Sequence, residues 1–411
     1  MLSKLTKVEK SWILYDIANS AFILLATAIL PIYFKNLVTE NGMSAEVATG
    51  YWGTITSIAV VILAIASPIL GTVADYKGMK KKLFAGFLFL GLGGLFSLSI
   101  VTSWVSFLCL YVVTRIGYTA CNIFYDAMLT DVATEDKLDV LSTLGYAFGY
   151  VGSCIPFIIG IILIFVDPFH LGMVVETRLT FIITGLWWLL LTIPLLKNVK
   201  QTYYVEAEVD MISQTFKRLG NTFRKIKKDK QLLLFMLGYF CYIDGVYTII
   251  SMATSYGAAV GIDDTQLVVA LLVTQFVAFP FAVLSGKYAN KIGALNLIKW
   301  FILGYIGVCF FGYQLDKAWE FWFLAICVGM FQGGIQALSR SYFAKLIPRE
   351  ESNEYFGFFD IFGKFADFVG PMIVAIFSFF GYPQAGVLAL AVLFVIGYVL
   401  IHKSETYKNN V

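Results

Sequence analysis

The sequence predicts an all-α membrane protein with twelve transmembrane helices in two six-helix bundles, and three observations lead to that fold. Of the 411 residues, 59% are hydrophobic and only 14% are charged, whereas soluble proteins average about 45–50% apolar and about 25% charged residues. The apolar residues form twelve runs, each long enough to cross a bilayer as a helix of about 20 residues. A polar segment separates the first six runs from the last six. So few charges cannot cover a soluble surface, which excludes a soluble enzyme, a nucleic-acid-binding protein and a disordered scaffold.

The twelve runs define the candidate spans and the domain organisation. Several runs contain Gly and Pro, which spanning helices tolerate because neighbouring helices satisfy the freed backbone groups. We expect a first six-helix bundle over 1–196, a linker over 197–231 and a second six-helix bundle over 232–411. The predicted spans are 12–34, 49–74, 83–101, 104–129, 139–165, 178–196, 232–259, 266–289, 295–314, 319–342, 353–380 and 384–401.

Lysine and arginine predict the orientation in the membrane. The loops that follow odd-numbered spans hold only Lys35 and Lys317, with Arg178 at an edge, and nearly all other basic residues lie in the even-numbered loops, the linker and the tails. Loops rich in Lys and Arg face the cytoplasm. Both termini are therefore expected in the cytoplasm.

The linker is predicted to contain an amphipathic helix. Its apolar residues are spaced by four, three, four and three positions, which places them on one helical stripe, and basic residues occupy the other faces. We expect this helix to lie on the inner leaflet; a helix that binds a protein partner is the alternative. The stripe consists of Ile212, Phe216, Leu219, Phe223 and Ile226, and the basic residues are Lys217, Arg218, Arg224, Lys225, Lys227 and Lys228.

A glycine-rich motif, GTVADYKGMKKK at 71–82, follows the second span. Its glycines permit close helix approach and a tight turn, and its aspartate can accept hydrogen bonds from a facing helix N-terminus or an arginine. The motif resembles the GxxxDxxGRxx signature of the major facilitator superfamily, with Met79 at the position of the usual arginine. In that superfamily this contact latches the cytoplasmic side closed. The resemblance therefore implies a cytoplasmic gate that includes Gly71, Asp75, Gly78, Lys80 and Lys81.

The second half of the chain repeats the plan of the first half in parallel. Asp244 in the seventh span corresponds to Asp16 in the first. After the eighth span, GKYANKIG at 286–293 repeats the glycine spacing but has Asn290 at the position of the aspartate, so we expect an asymmetric latch. Parallel six-helix repeats are one of the plans of secondary transporters.

Two further stretches resemble the autophagy-related vacuolar amino-acid exporter family, a branch of the superfamily with many bacterial members. One is SWILYDIANSAF at 11–22, and the other runs from GGIQALSRS at 333–341 to EYFGF at 354–358. The resemblance implies export of neutral amino acids in the eukaryotic branch and leaves the substrate of the bacterial branch open. It also implies a monomer in a bacterial plasma membrane.

Charged side chains inside a membrane are costly and indicate function by default. Asp16 and Asp244, with their neighbours Asn19 and Tyr247, lie in spans one and seven, which line the central cavity in this superfamily. Either aspartate could carry a coupling proton, and the competing interpretation is an aspartate that hydrogen-bonds its neighbours to pack helices.

Arg115 in the fourth span requires an anionic partner. It could bind a carboxylate of the substrate or pair with Asp16 or Asp244, and both interpretations remain open. Asp126 lies three helical turns further on about the same face. Further candidates for this cavity are Asn122, Tyr125 and Tyr146 and, in spans ten and eleven, Gln332, Gln336, Asp360 and Lys364.

Spans ten and eleven each carry a polar stripe. In span ten, Gln332, Gln336 and Arg340 recur at four-residue steps, and we expect Arg340 at the cytoplasmic gate. The three charged residues of span eleven also share one stripe; they form either a self-neutralising structural group or an ion-pair network that exchanges as the cavity opens. These three residues are Asp360, Lys364 and Asp367.

Together these features predict a secondary active transporter that moves a small polar solute by alternating access. A neutral amino acid is favoured by the resemblance, coupling to H⁺ or Na⁺ is a hypothesis, and a sugar–cation symporter or a lipid flippase are the alternatives. The sequence contains no phosphate-binding GxxxxGK[ST] loop, HExxH motif or Cys/His cluster, so we expect no enzymatic activity, cofactor or metal site. The expected partners are the small solute and membrane lipids, without nucleic acid.

Overall fold

The structure is a computed structural model that describes residues 5–206, 211–259 and 261–408. Within this described part, twelve segments are long and apolar enough to cross a membrane, which confirms the predicted all-α fold. Helices α1 to α14 are, in order, Lys7–Leu24, Leu30–Glu40, Ala45–Asp75, Met79–Leu98, Trp104–Val132, Leu138–Val166, Met173–Asn198, Met211–Lys228, Lys230–Ala259, Asp264–Ile292, Ala294–Tyr313, Ala318–Leu346, Ser352–Phe379 and Pro383–Lys408.

The helices pack as two bundles that share an interface. In the first bundle α1 packs against α6 and α7, and α4 packs against α5. In the second bundle α9 packs against α13 and α14, and α11 packs against α12 and α14. Between the bundles, α3 contacts α13 and α6 contacts both α10 and α12. Residues far apart in sequence therefore meet along α3, α6, α12 and α13.

The two faces of the molecule differ in how closely the bundles approach. We call the linker side the face with the start of α1, the turn between α3 and α4, α8 and the start of α13; the opposite face is the far side. On the linker side, residues 352–357 of α13 are buried, whereas residues 375–380 near the far side are exposed. Helix α3 shows the same contrast, because polar Thr54 and Ser57 in its far-side half are exposed while Asp75 at its linker-side end is buried. Along α3 and α13 the buried contacts between the bundles therefore lie on the linker side.

Glycines allow close contact between α4 and α5. A Cβ atom on Gly117 would lie 2.4 Å from the backbone nitrogen of Gly91 and 2.5 Å from its Cα atom. Backbone atoms cannot rotate away as a flexible side chain can, so the two helices would have to separate.

We expect Gly117→Ala to lower the free energy of unfolding by about 1–3 kcal/mol, the usual cost of overpacking. Gly93→Ala is the matched control, because a Cβ atom on this glycine of α4 meets nothing within 4 Å. Thermal unfolding of the two purified variants in detergent measures the difference. Equal stability of the two variants would show that close packing at Gly117 does not contribute.

The linker is held to the first bundle before α8 begins. The Gln201 side-chain amide donates to the carbonyl of Ala74 at 3.1 Å, and the Val205 backbone N–H donates to the carbonyl of Asp75 at 2.9 Å. The Lys77 backbone N–H returns a hydrogen bond to Val205 at 3.1 Å. This first part of the linker therefore follows the turn between α3 and α4.

Helix α8 packs against α3, α9 and α13, and its predicted apolar stripe is partly buried against the protein and partly exposed. Ile226 is buried in the protein, whereas Phe216 and Phe223 are 60% and 59% exposed. Thr215 and Thr222 are also buried on the side of α8 that faces the protein. The protein surface below α8 carries carboxylates, which suit small polar side chains better than phenyl rings. Ile212, predicted as the first residue of the stripe, lies outside the side chains that the structure describes.

Candidate functional site

A buried arginine joins the two bundles near the middle of the linker-side half. Arg340 of α12 donates from Nη1 to Oδ1 of Asp126 at 2.9 Å and from Nη2 to Oδ2 of Asp16 at 3.2 Å. It also donates to the Ser142 hydroxyl at 2.9 Å and to the Ser142 carbonyl at 3.0 Å. The guanidinium comes from the second bundle, and all of these acceptors come from the first. We call Arg340, Asp16 and Asp126 the inter-bundle cluster.

The surroundings of the inter-bundle cluster are aromatic and closely packed. A Cβ atom on Gly145 of α6 would lie 2.4 Å from Oδ2 of Asp16 and 3.2 Å from Nη2 of Arg340, so only glycine leaves room for this ion pair. Aromatic faces attract a guanidinium electrostatically and exclude water from it. Three ring centroids lie close enough to the guanidinium carbon for this attraction: those of Trp12 at 4.7 Å, Tyr125 at 5.5 Å and Tyr146 at 4.4 Å.

A polar layer lies next to this cluster, toward the far side. The Asn19 side-chain amide of α1 donates to Oδ1 of Asn122 on α5 at 2.9 Å. Arg115 is half-buried and lies on the same stripe of α5 as Asn122 and Asp126, about 16 Å from Asp126 along the helix at 1.5 Å per residue. Asp16, one of the carboxylates considered as a partner of Arg115, forms an ion pair with Arg340.

A second charged group lies where α13 packs against α3. Lys364 forms an ion pair with Oδ2 of Asp360, and the same oxygen accepts a hydrogen bond from the Ser67 hydroxyl of α3 at 2.6 Å. Lys364 also interacts electrostatically with Asp126, so this group adjoins the inter-bundle cluster. Asp367, the third predicted member, lies outside the described side chains.

Asp244, the counterpart of Asp16, has a different environment. It is fully buried, and its Oδ1 accepts a hydrogen bond from the backbone N–H of Gly370 at 2.8 Å. A Cβ atom on Gly370 would lie 2.0 Å from the Thr248 hydroxyl oxygen, so α9 and α13 are in close contact here. These contacts lie within the second bundle and favour the structural interpretation of Asp244. Its neighbour Tyr247 interacts with Tyr239, also on α9.

The predicted glutamines of α12 extend from the inter-bundle cluster toward the far side. Gln336 is half-buried, one turn from Arg340. Gln332 is buried and lines an apolar cavity of about 100 Å³ in the far-side half of the second bundle, which Thr248 also lines. One face of α12 is therefore polar over at least two helical turns.

The turn between α3 and α4 forms a second contact between the bundles. Asp75 accepts hydrogen bonds through Oδ1 from the backbone N–H and side-chain amide of Asn353, at 2.9 and 2.7 Å, and through Oδ2 from the backbone N–H of Glu354 at 3.0 Å. Both residues lie in the first turn of α13, where backbone N–H groups have no helical partner and the helix dipole favours an anion. Arg218 of α8 lies 3.6 Å from the Asp75 carboxylate and 2.8 Å from that of Glu354. We call these residues the linker-side latch.

Glycines of the motif permit this latch, and the second copy of the motif differs. A Cβ atom on Gly71 would lie 2.2 Å from the carbonyl oxygen of Asn353, and Gly78 has a left-handed φ of +74°. In the second copy, a Cβ atom on Gly286 would lie 2.0 Å from the Thr143 hydroxyl, but Asn290 is exposed. Close helix approach is thus present in both halves, while the buried carboxylate is present in the first.

Comparison with known proteins identifies the family. The model of the family "Vacuole effluxer Atg22 like" matches residues 6–138 and 130–410. The chain belongs to this Atg22-like family. An uncharacterized MFS-type transporter of Bacillus subtilis, YxiO, is 44% identical over 408 residues, which cover 98% of this chain and 95% of that protein. Autophagy-related protein 22 of Yarrowia lipolytica is 26% identical over 267 residues, which cover 57% of this chain and 45% of the fungal protein.

Solved structures agree with this assignment at the level of the fold. The fucose:proton symporter FucP of E. coli superposes with a TM-score of 0.73 at 15% sequence identity, and the match covers 97% of both chains. This Atg22-like protein is therefore a multi-pass membrane transporter of the major facilitator superfamily and not an enzyme.

Two predicted gate residues of the Atg22-like protein have their described partners within the first bundle. Lys80 forms a fully buried ion pair with Asp131 at 2.5 Å, and Lys81 donates to the carbonyl of Leu196 at 2.6 Å. Both lysines thus hold the turn after α3 to its own bundle. The basic residue that reaches the opposite bundle at this level is Arg218, which comes from the linker.

Other residues that join the bundles were absent from the sequence-based candidates. Asp139 in the first turn of α6 accepts hydrogen bonds from the Ser341 hydroxyl at 2.7 Å and from Lys345 Nζ at 2.5 Å. Ser341 and Lys345 are four residues apart on α12, so their spacing is the signal that could have indicated this contact. Asp139, like Asp16 and Asp126, belongs to the first bundle, and the cations that meet these carboxylates come from the second.

Proposed function

We propose that this Atg22-like transporter moves a small neutral amino acid by alternating access, coupled to a proton through the inter-bundle cluster. The observation that carries the coupling is the charge count of the ion pairs described at this interface. In the part of the interface that the structure describes, these pairs join three carboxylates, of Asp16, Asp126 and Asp360, to two cations, of Arg340 and Lys364. One proton, or one Na⁺ ion, would neutralise the excess, and uncompensated charge is costly at this depth.

Proton binding would act directly on the contact between the bundles. A protonated carboxyl group at Asp16 or Asp126 no longer forms a full ion pair with Arg340, and charge-assisted hydrogen bonds are about twice as strong as neutral ones. The linker side would then separate more readily, while the far side would close. Neutralisation therefore favours the opposite orientation of the cavity.

The amino-acid substrate is supported by the resemblance to vacuolar amino-acid exporters that the sequence shows and by the polar layer next to the cluster. The matching family is described as vacuole effluxers. Arg115, on the stripe of α5 that also carries Asn122, provides a guanidinium suited to bidentate contact with a carboxylate. We propose that Arg115 binds the substrate carboxylate while Asn19 and Asn122 contact its polar groups.

The linker side is proposed to face the cytoplasm. Exposed lysines at Lys10, Lys82, Lys287 and Lys291 surround it, in agreement with the positive-inside rule. We further propose that 1–196 and 232–411 rock as two bundles joined by the linker 197–231, in a monomer of the bacterial plasma membrane.

We expect Asp16→Asn and Asp126→Asn to weaken or remove the pH dependence of transport, because asparagine resembles the neutral carboxyl group. Uptake of labelled neutral amino acids into proteoliposomes, with and without a proton gradient, measures this effect. Asp244→Asn is the matched control: it changes a buried aspartate within the second bundle and should retain the pH dependence.

Three outcomes would contradict the proposal in different ways. If both Asp16→Asn and Asp126→Asn keep the pH dependence of the unmodified protein, the cluster is not the coupling site. If labelled sugars but not amino acids exchange in counterflow, the sugar–cation symporter is the better assignment. Translocation of a labelled phospholipid without either solute would favour the flippase.

A further inference from the structure

Helix α8 has two faces with different chemistry, and its inner face bridges the two bundles. Arg218 contacts Asp75 of the first bundle and Glu354 of the second. Two helical turns further on, Nζ of Lys225 lies 2.9 Å from both carboxylate oxygens of Glu351. Glu351 is the residue just before the start of α13. The inner face of α8 therefore holds the linker-side latch in place.

The outer face of α8 combines exposed phenyl rings with exposed cations. Phe216 and Phe223 are seven residues apart, which places them on one side of the helix, and both are more than half exposed. Met211–Lys228 contains six basic residues and no acidic residue. The exposed cations of this face are Lys217, Arg224, Lys227 and Lys228.

The position of α8 places this outer face at the edge of the membrane. Helix α8 ends at Lys228, and α9, a membrane-spanning helix, begins at Lys230. The Phe223 ring also lies 6.5 Å from the Phe358 ring of α13, measured between centroids. The basic end of α8 is thus one residue from a span, at the depth where phospholipid headgroups lie.

We propose that the outer face of α8 binds anionic phospholipids and that this binding stabilises the closed linker-side latch. Phenyl rings beside Lys and Arg are the features of helices that lie in the membrane interface. The four exposed cations of the outer face match a negatively charged leaflet, to which juxtamembrane basic residues are attracted. Arg218 faces inward, so lipid contact on the outer face leaves the latch intact and holds α8 against both bundles. The inference does not depend on the transported substrate.

Hydrogen exchange of the full-length protein in nanodiscs tests this proposal. The probes are discs of neutral phosphatidylcholine and discs that contain about 30% phosphatidylglycerol, an anionic lipid. Amides of α8 are expected to exchange at least about fivefold more slowly in the anionic discs, since each cation near such a surface contributes roughly this factor. High salt should reduce the difference, because ions screen exposed charges.

Two sets of variants separate the outer face of α8 from general surface charge. The test protein carries Lys217→Gln, Arg224→Gln, Lys227→Gln and Lys228→Gln, and is expected to lose the difference between the two discs. The control carries Lys10→Gln, Lys82→Gln, Lys287→Gln and Lys291→Gln, which remove the same charge from other exposed linker-side positions, and should keep the difference. Thermal unfolding checks that both proteins are folded.

Several results would overturn the proposal. Equal exchange in the two kinds of disc would show that anionic lipid does not bind α8, and equal loss in both sets of variants would show a non-specific charge effect. If the amides of α8 exchange more slowly as the protein concentration rises in neutral detergent, a second copy of the chain is the occupant of this face.

Discussion

Replacing Arg340 by glutamine is expected to abolish coupled transport and to lower the free energy of unfolding by about 3–5 kcal/mol, the cost of leaving a buried charge without its partner. The guanidinium is only 3% exposed and bonds two carboxylates and two oxygen atoms of Ser142. Glutamine can donate two of these hydrogen bonds but cannot compensate the charge of Asp16 and Asp126. Thermal unfolding and proteoliposome uptake measure the two effects.

A compensating variant separates charge from packing. Adding Asp16→Asn and Asp126→Asn to Arg340→Gln removes the uncompensated carboxylates, so stability should largely return while coupled transport stays absent. Lys345→Gln is the matched control, because it also removes a cation from an ion pair between the bundles. The Lys345 side chain is 26% exposed, however, and Asp139 keeps its hydrogen bond from Ser341 in this variant. Failure of the triple variant to regain stability would show that the shape of arginine, rather than its charge, is what the cluster needs.

The charge distribution of the linker side gives a physical basis for alternating access. At Arg340 and Lys345, carboxylates on the first bundle face cations on the second, so these ion pairs must break before the linker side can open. Buried pairs cost more to break than exposed ones, and the inter-bundle cluster is therefore expected to control the opening more strongly than the Lys345–Asp139 pair, whose lysine side chain is 26% exposed. Under the proposed coupling, a proton at the cluster would lower that cost.

Hydropathy was sufficient to predict the twelve spans, because the membrane requires a long apolar segment of every span. The spacing of Gly71, Asp75 and Gly78 indicated close helix approach and a tight turn, because backbone geometry restricts which residues can occupy these positions. The partners of these residues could not be predicted, since Asn353 and Arg218 come from distant parts of the chain and meet Asp75 only in the folded protein.

Residues with the same local pattern can have different environments. Asp16 and Asp244 occupy corresponding positions in the two halves, yet the first pairs with Arg340 across the interface and the second accepts a backbone hydrogen bond from Gly370. The apolar stripe of α8 likewise meets two environments, since Ile226 is buried against the protein while Phe216 and Phe223 are exposed, and periodicity alone does not distinguish these positions.

Replacing Gly71 by alanine is expected to shift the transporter toward the state that is open on the linker side. The new Cβ atom would lie 2.2 Å from the carbonyl oxygen of Asn353 and 2.8 Å from its carbonyl carbon. Both are backbone atoms at the start of α13, so the clash is relieved only if α3 and α13 separate. Overpacking of this kind costs about 1–3 kcal/mol, which corresponds to about a 5–150-fold change in the ratio of closed to open molecules.

Distances between spin labels on the linker side measure this shift. Labels at exposed Lys82 on α4 and exposed Lys287 on α10, in a protein whose six cysteines are replaced, report on the separation of the two bundles. Gly86→Ala is the matched control, because a Cβ atom on this glycine of α4 meets nothing within 4 Å, and it should keep the distances of the parent protein. The strain exists only when the latch is closed, so Gly71→Ala should lengthen the distance without unfolding the protein. An unchanged distance in Gly71→Ala would mean that α13 can move aside within the closed state, and the motif glycine would then not control the latch.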